Sequence, residues 1–163
     1  MTQLTIKINW YGSFDDVSDI DEWDKGGGLY MITGKRKYQR SNPEIQYIGI
    51  TTTTYKERFS NHHKFNLVNR EFCIWLGKID YPSEYSADHL KMAESIMVYF
   101  WQPELNEKLK ANPPSQPTNV ISHWFRKNGK ARRKKQSIYK ELPDVICWDG
   151  SHWRSGNLKV YKE

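Results

Sequence analysis

One glutamate, Glu94, lies among apolar residues in a segment whose periodicity predicts a helix over residues 86–101. At about 100° per residue, Glu94 falls on the same broad face as Met97 and Val98. Burying a carboxylate without a partner costs several kcal/mol, so such a side chain needs a cation or a metal ion beside it. Glu94 is therefore either a metal ligand at the floor of a site, or a glutamate that pairs with a buried arginine or reaches solvent at the helix edge.

A second helix, predicted over residues 54–65, carries Arg58 and His62 four positions apart. That spacing places the two side chains on one face, one turn from each other. A guanidinium and an imidazole on one face suit an anionic phosphate. The alternative is a pair of exposed polar residues on a surface helix.

Two tyrosines, Tyr30 and Tyr47, lie inside the predicted strands 29–34 and 45–51. A tyrosine in a strand is usually a core residue, because its ring packs well on a pleated surface. Its phenol can accept a proton only where nearby cations lower its pKa from the usual value of about 10. Both interpretations, core residue and proton acceptor, stay open at this point.

The basic residues of the C-terminal third form a run between residues 126 and 140 that contains no acidic residue. The run consists of Arg126, Lys127, Lys130, Arg132, Arg133, Lys134, Lys135 and Lys140. Together with the net charge of +6, it predicts contact with a nucleic-acid backbone through counterion release. The alternative is a solvated surface loop.

The length of 163 residues suits one domain, with room for a small appendage. Cys73 and Cys147 lie far apart in apolar runs, so we expect buried free thiols. The sequence shows no signal peptide, and no apolar run approaches the roughly 18 residues of a membrane span. We therefore expect a soluble, cytoplasmic protein.

The remaining patterns place the other elements of the chain. They predict strands at residues 4–10, 71–79, 145–148 and 158–161, a short acidic helix at 15–25, and turns at Asp149-Gly150 and Ser155-Gly156. The proline-rich stretch 112–117 cannot be helical and is the best candidate for a boundary.

Taken together, the candidate residues have the order and spacing of the GIY-YIG nuclease superfamily, which this chain resembles over roughly residues 26–110. The matching features are Gly28-Leu29-Tyr30, Tyr47-Ile48-Gly49, Arg58 with His62, Glu94, and Pro103 followed by Asn106. Leu29 stands where the family has isoleucine, which alters packing only. No single tripeptide is specific, but all these features in order are a strong signal.

The resemblance implies an α+β fold: a small, mainly antiparallel three-stranded sheet flanked by helices, within a catalytic core at residues 26–112. Residues 1–25 then form an N-terminal extension of one strand and the acidic helix. Residues 113–163 form a basic C-terminal extension packed on the core. We also expect strand 4–10 to pair with the C-terminal strands and extend the sheet.

The resemblance further implies a metal-dependent DNA endonuclease, in which Glu94 binds one Mg²⁺ or Mn²⁺ ion. Tyr30 would accept a proton from the attacking water, with Tyr47 or His62 assisting. Arg58 would neutralise charge on the phosphate, and Asn106 would orient Glu94. The predicted strands 29–34 and 45–51 can form an antiparallel hairpin with a long basic loop between them. For DNA binding we expect Lys35, Arg36 and Lys37 of this loop, together with Arg126, Lys127, Lys130, Arg132, Arg133, Lys134 and Lys135.

Two other functions remain open at this point. The chain could be a nucleic-acid-binding module that has lost catalysis, although the complete set of six candidate residues argues against it. It could also be a structural or protein-interaction domain whose basic run is only solvated. If it is a nuclease with one active site per chain, cutting both strands of DNA would require a homodimer or two visits.

Overall fold

A computed structural model describes residues 2–132 and 142–158. Over these ranges the chain forms seven strands and two α-helices. The strands are β1 (Leu4–Phe14), β2 (Gly28–Arg36), β3 (Glu44–Thr51), β4 (Val68–Tyr81), β5 (Thr118–Arg126), β6 (Val145–Trp148) and β7 (Trp153–Gly156). The α-helices are α1 (Tyr55–Ser60) and α2 (Ala87–Trp101), and two 3-10 helices span Val17–Trp23 and His63–Leu67. In the described ranges neither α-helix has both the length and the apolar character needed to cross a bilayer.

All seven strands belong to one mixed sheet in the order β3-β2-β4-β1-β5-β6-β7. The β1–β5 pair is parallel and the other pairs are antiparallel. The predicted fold class, a small three-stranded sheet flanked by helices, is therefore wrong. Its three strands do lie side by side as β3, β2 and β4, but the far edge of β4 pairs with β1, and the sheet continues from there. The expected pairing of strand 4–10 with the predicted C-terminal strands is not what forms: β1 pairs with β4 and with β5, which was not predicted as a strand, and the predicted strand 145–148 (β6) pairs with β5.

Several element boundaries also differ from the sequence expectations. The acidic helix is a 3-10 helix, and the helix predicted to reach residue 65 ends at Ser60. Ser155 and Gly156 lie in strand β7, so the turn predicted there is wrong. Of the strand predicted at 158–161, residues 159–161 lie outside the described residues.

The sheet buries an apolar layer on each face. Alternation along β2 sends Leu29 and Met31 to the face covered by α2, and Tyr30 and Ile32 to the opposite face, which α1 covers. Because β3 is an edge strand, groups from both faces of the sheet can meet around its outer side. This geometry places the candidate site at the edge of the sheet.

Candidate active site

A cleft of about 290 Å³ lies along the outer edge of β3. Four of the six predicted site residues line it: Tyr47, Arg58, Glu94 and Asn106. Arg58 comes from α1 on one face of the sheet and Glu94 from α2 on the other. The cleft therefore brings a carboxylate and a guanidinium from opposite faces to one space.

The other two predicted residues form the wall behind Tyr47. The Tyr30 ring is fully buried and stacks on Tyr47, with ring centroids 6.0 Å apart and an interplanar angle of 21°. The buried His62 ring meets Tyr47 edge-on, with centroids 4.7 Å apart, and Tyr30 at 5.7 Å. The six residues thus lie in the cleft or in ring contact with its wall.

Gly28 and Gly49, the glycines of the two matching tripeptides, leave space for buried tyrosine hydroxyls. A Cβ at Gly49 would overlap the hydroxyl and ring of Tyr30, which is its cross-strand partner in β2. A Cβ at Gly28 would overlap the hydroxyl of Tyr55. That hydroxyl donates towards the carbonyls of Leu29 (3.1 Å) and Gly77 (3.3 Å), so Tyr55 fixes α1 against the sheet.

The N-terminus of α1, which carries Arg58, is held by two caps. The Asp24 carboxylate accepts hydrogen bonds from the backbone N–H groups of Tyr55 (2.6 Å) and Lys56 (3.2 Å). The Thr54 hydroxyl accepts one from the N–H of Glu57 at 3.2 Å. These acceptors satisfy N–H groups that a short helix leaves unpaired, and so they orient the helix that presents Arg58.

His62 is not on α1, in contrast to the helical i, i+4 pairing predicted with Arg58. The helix ends at Ser60 with Asn61 as its C-cap, and His62 has an extended backbone at φ −95° and ψ 91°. His62 reaches the site because the chain turns from α1 into the 3-10 helix His63–Leu67. Its ring stacks there on Phe65, with centroids 4.5 Å apart.

The Glu94 carboxyl group is mostly withdrawn from solvent. Burial raises its pKa to about 7, and the opposing charge of Arg58 only partly offsets that effect. Among the described residues, no cationic side chain lies within 4.0 Å of this carboxylate. A buried carboxylate without close compensation is an oxygen donor suited to a hard divalent cation.

The described residues contain no group of three His, Cys, Asp or Glu side chains that could enclose a metal ion. Glu94 would therefore be the protein's carboxylate ligand, and water or substrate oxygens would fill the remaining positions. Mg²⁺ is commonly held in this way, by one or two carboxylates and substrate phosphates, with several waters retained. The residues present fit a cation of this kind.

Tyr30 is poorly suited to accept a proton. Burial, followed by the nearby Tyr47 hydroxyl, raises the pKa of its phenol far above the usual value, and the charge of Arg58 only partly opposes this. The Tyr30 hydroxyl makes no hydrogen bond of regular geometry with the described residues. These conditions favour the protonated phenol, which does not suit the proton-accepting role expected for Tyr30.

Asn106 binds the backbone of β3 rather than Glu94. Its Oδ1 accepts a hydrogen bond from the N–H of Ile48 at 3.0 Å, and its Nδ2 donates one to the Ile48 carbonyl at 2.8 Å. Beside this pair, the N–H of Leu105 donates to the Gln46 carbonyl at 2.9 Å. Asn106 thus caps the exposed edge of the strand that carries Tyr47 and Gly49, and it is a positioning residue.

Replacing Asn106 by alanine should lower the free energy of unfolding by about 2 to 3 kcal/mol, because two buried backbone groups of Ile48 lose their partners. Chemical denaturation would measure the change. Asn69→Ala is the matched control, since Asn69 is exposed. Equal stability of the two variants would contradict the edge-capping role.

Three of the residues expected to bind DNA are engaged within the protein. Lys35 pairs with Glu71 at 3.3 Å. The Nε of Arg36 donates to Gln46 at 3.1 Å. Arg132 donates to the Gly12 carbonyl at 2.6 Å and lies over the Trp75 ring at 5.0 Å. These cations serve the fold, which the charge pattern alone could not indicate.

The other described cations of that set, Lys37, Arg126, Lys127 and Lys130, are exposed. Arg133, Lys134 and Lys135 lie outside the described residues.

Sheet register aligns Gly49, Tyr30, Leu76, Tyr11 and Phe125 in one row across five strands. At about 4.8 Å per strand, the basic turn that begins at Arg126 is therefore roughly 20 Å from the cleft along that row.

The cleft also contains two lysines that the sequence interpretation missed, Lys64 and Lys108. The ammonium group of Lys64 pairs with the Glu107 carboxylate at 2.8 Å on the cleft rim. Each lysine stands two positions after a motif residue, Lys64 after His62 and Lys108 after Asn106. That proximity was the available signal; Lys108 adds a second cation to the cleft lining besides Arg58, and the charge of Lys64 is offset by Glu107.

Comparisons of the chain with protein-family models, with curated proteins and with solved structures give no match.

Proposed function

We propose that this protein is a metal-dependent DNA endonuclease, a phosphodiester hydrolase with the side-chain set of the GIY-YIG nucleases. The observation that carries the proposal is the convergence of Glu94, Arg58 and Tyr47 on one cleft, with His62 in contact with Tyr47. Phosphodiester hydrolysis uses groups of these kinds: a carboxylate with little positive charge close to it, a guanidinium, and a phenol next to an imidazole.

Glu94 would hold one Mg²⁺ or Mn²⁺ ion. When bound, the ion would supply charge stabilisation for the phosphate and for the leaving 3′ oxygen. The raised pKa of Glu94 supports this assignment, because a divalent cation favours the ionised carboxylate that burial disfavours. Metal binding and deprotonation of Glu94 are then linked.

Arg58 would bind the non-bridging oxygens of the scissile phosphate. Its guanidinium donates in a planar fork that matches phosphate geometry. Lys108 on the same cleft would hold an adjacent phosphate, whereas Lys64 is paired with Glu107. This division of roles places the reacting phosphate between Arg58 and Glu94.

The proton of the attacking water would pass to the pair formed by Tyr47 and His62. Tyr47 lines the cleft, and the His62 imidazole behind it belongs to the side-chain type best suited to accept a proton near neutral pH. The water oxygen forms a bond to phosphorus, the bond to the 3′ oxygen breaks, and that oxygen takes up a proton. Tyr30 supports the Tyr47 ring and keeps its own proton.

The exposed cations at Lys37 and in the turn that begins at Arg126 favour a long polyanion over a small phosphate ester. The cleft and the basic turn lie roughly 20 Å apart along the sheet, so one ligand must be at least that long to contact both. The proposed substrate is therefore DNA, which contacts the cleft and this turn together.

The direct test incubates the purified protein with supercoiled plasmid in the presence of Mg²⁺. We expect nicked circles to form, the reaction to stop on addition of a chelator, and excess Mg²⁺ to restore it. Linear product appearing together with nicked circles would indicate a homodimer that cuts both strands. If plasmid stays supercoiled with Mg²⁺ and with Mn²⁺ over a range of pH, the proposed function is wrong.

A further inference from the structure

The tip of the β2–β3 hairpin, residues 36–42, presents a tyrosine to solvent. Tyr38 is 83% exposed, compared with 57% for Tyr81, the next most exposed large hydrophobic side chain in the described residues. Its backbone has φ +69°, in the left-handed region that a tyrosine rarely adopts. The chain therefore turns at Tyr38 in a way that keeps its ring off the protein surface.

The hairpin tip is held by a network centred on Gln39. The Gln39 Oε1 accepts hydrogen bonds from the Arg36 N–H (3.1 Å) and from Gln46 Nε2 (3.0 Å). Its Nε2 donates to the Asn42 carbonyl at 2.9 Å. Arg70 adds a bond to the Arg36 carbonyl at 2.7 Å. These bonds restrain the loop before any ligand binds. Binding at Tyr38 would therefore cost little conformational entropy for ordering the loop.

Tyr38 is flanked in the sequence by cations, of which Arg36 pairs with Glu44 and Glu104. Residues 36–43 contain three cationic residues and no acid, and Lys37 and Arg40 are exposed. The ammonium group of Lys37 lies 5.1 Å from the centroid of the Tyr38 ring. An exposed aromatic ring with cations beside it is the combination that binds single-stranded nucleic acid, since the ring stacks on a base and the cations hold the adjacent phosphates.

We propose that the hairpin tip is a stacking site for an unpaired nucleobase, which makes DNA with an unpaired segment near the cut the preferred substrate. In an intact duplex the base faces are covered by their neighbours, so a single ring can stack only where a base is unpaired or a step is opened. The inference rests on the proposed function for its choice of DNA as the ligand.

The position of the tip sets where that segment should lie. Gly34 pairs with Glu44 in the sheet, Tyr38 lies four residues beyond this pair, and Tyr47 lies three residues away from it on the other side. At about 3.3 Å per residue the ring is roughly 20 Å from the cleft. At about 3.4 Å per nucleotide this corresponds to some five or six nucleotides.

The test compares affinities for a fully paired duplex and for the same duplex with a five-nucleotide gap, in chelator so that no cutting occurs. We expect the wild-type protein to bind the gapped DNA about tenfold more tightly than the paired DNA, and Tyr38→Ala to lose that preference while keeping its affinity for paired DNA. Tyr38→Phe should behave as wild type because the ring is retained. Tyr81→Ala is the control for removal of an exposed tyrosine.

A crosslinking measurement identifies the contact itself. With 5-iodouracil in the single-stranded gap, near-ultraviolet light should attach the DNA to the peptide that contains Tyr38. If Tyr38→Ala binds both duplexes as the wild type does, the stacking inference is overturned, and plasmid nicking by the wild type would leave the nuclease proposal standing. Tyr38-dependent binding without metal-dependent nicking would support the stacking site and overturn the nuclease proposal. Absence of any DNA binding would overturn both.

Discussion

Glu94→Gln is expected to reduce metal-dependent plasmid nicking by about a thousandfold or more while leaving the protein folded. The amide keeps the size of the side chain but cannot supply the negative charge that holds a divalent cation. Metal-ion stabilisation of a reacting phosphate is worth several kcal/mol, and each 1.4 kcal/mol is about tenfold in rate. Initial nicking rates at saturating Mg²⁺ would measure the loss. Unchanged cutting by this variant would remove Glu94 from the proposed site.

The same variant should be more stable than the wild type at high pH. Burial raises the pKa of Glu94 from 4.5 to about 7, so the folded state favours the neutral acid. As pH rises from below 4.5 to above 7, the folded protein binds more protons than the unfolded chain and its stability falls. Glu94→Gln removes that loss, and we expect it to gain about 2 kcal/mol at pH 8, less than the full shift implies because the side chain is partly open to solvent.

Denaturant unfolding at pH 4 and pH 8, without divalent cations, would measure this effect. Near pH 4 the carboxyl group is largely neutral in both states, so wild type and variant should have similar stability there. Glu84→Gln is the matched control, because Glu84 is exposed and its replacement should produce no such pH-dependent gain. The difference in stability between Glu94→Gln and wild type is the quantity to compare at the two pH values. If the variant loses stability relative to wild type between pH 4 and pH 8, the carboxylate has a compensating partner.

Arg58→Ala is expected to reduce the nicking rate by about a hundredfold to a thousandfold, as loss of one preorganised donor to a reacting oxyanion does in other enzymes. Arg58 also lowers the pKa of Glu94, so its removal should raise that pKa further above 7. The rising limb of the pH–rate profile should then move to higher pH in the variant. Arg58→Lys should keep the profile closer to wild type, because the charge is retained while the forked geometry is lost.

Initial nicking rates between pH 6 and pH 9 would test both effects. Lys91→Ala is the control for removal of a cation, since Lys91 is exposed on α2 away from the cleft lining. A rate loss without a shift of the profile would separate phosphate binding from the effect on Glu94. An Arg58→Ala enzyme with wild-type rate and profile would show that the guanidinium takes no part in the reaction.

The local pattern of the sequence was sufficient to place most elements and the main site residues. Periodicity located β2, β3 and α2, and Ser86 was expected to begin α2, where it forms a capping box with His89. Glu94 was singled out because a carboxylate within an apolar helical face needs a reason to be there. These are short-range properties, set by side-chain spacing and by the hydrogen-bonding needs of helix ends, so the sequence alone determines them.

Tertiary structure decided which strands pair and which polar groups remain available. Local patterns predicted strands but did not fix their partners: strand 4–10 was expected to pair with the C-terminal strands at 145–148 and 158–161, and its pairing with β4 and β5 was not foreseen. Hydrogen-bond partners far apart in the chain assigned Asn106 to the backbone of Ile48 and Arg132 to Gly12, which withdrew both from the roles expected of them. Burial depends on all the neighbouring side chains together. It favours the protonated phenol of Tyr30, behind the wall of the cleft, and it raises the pKa of Glu94, whose carboxylate shares the cleft with Arg58.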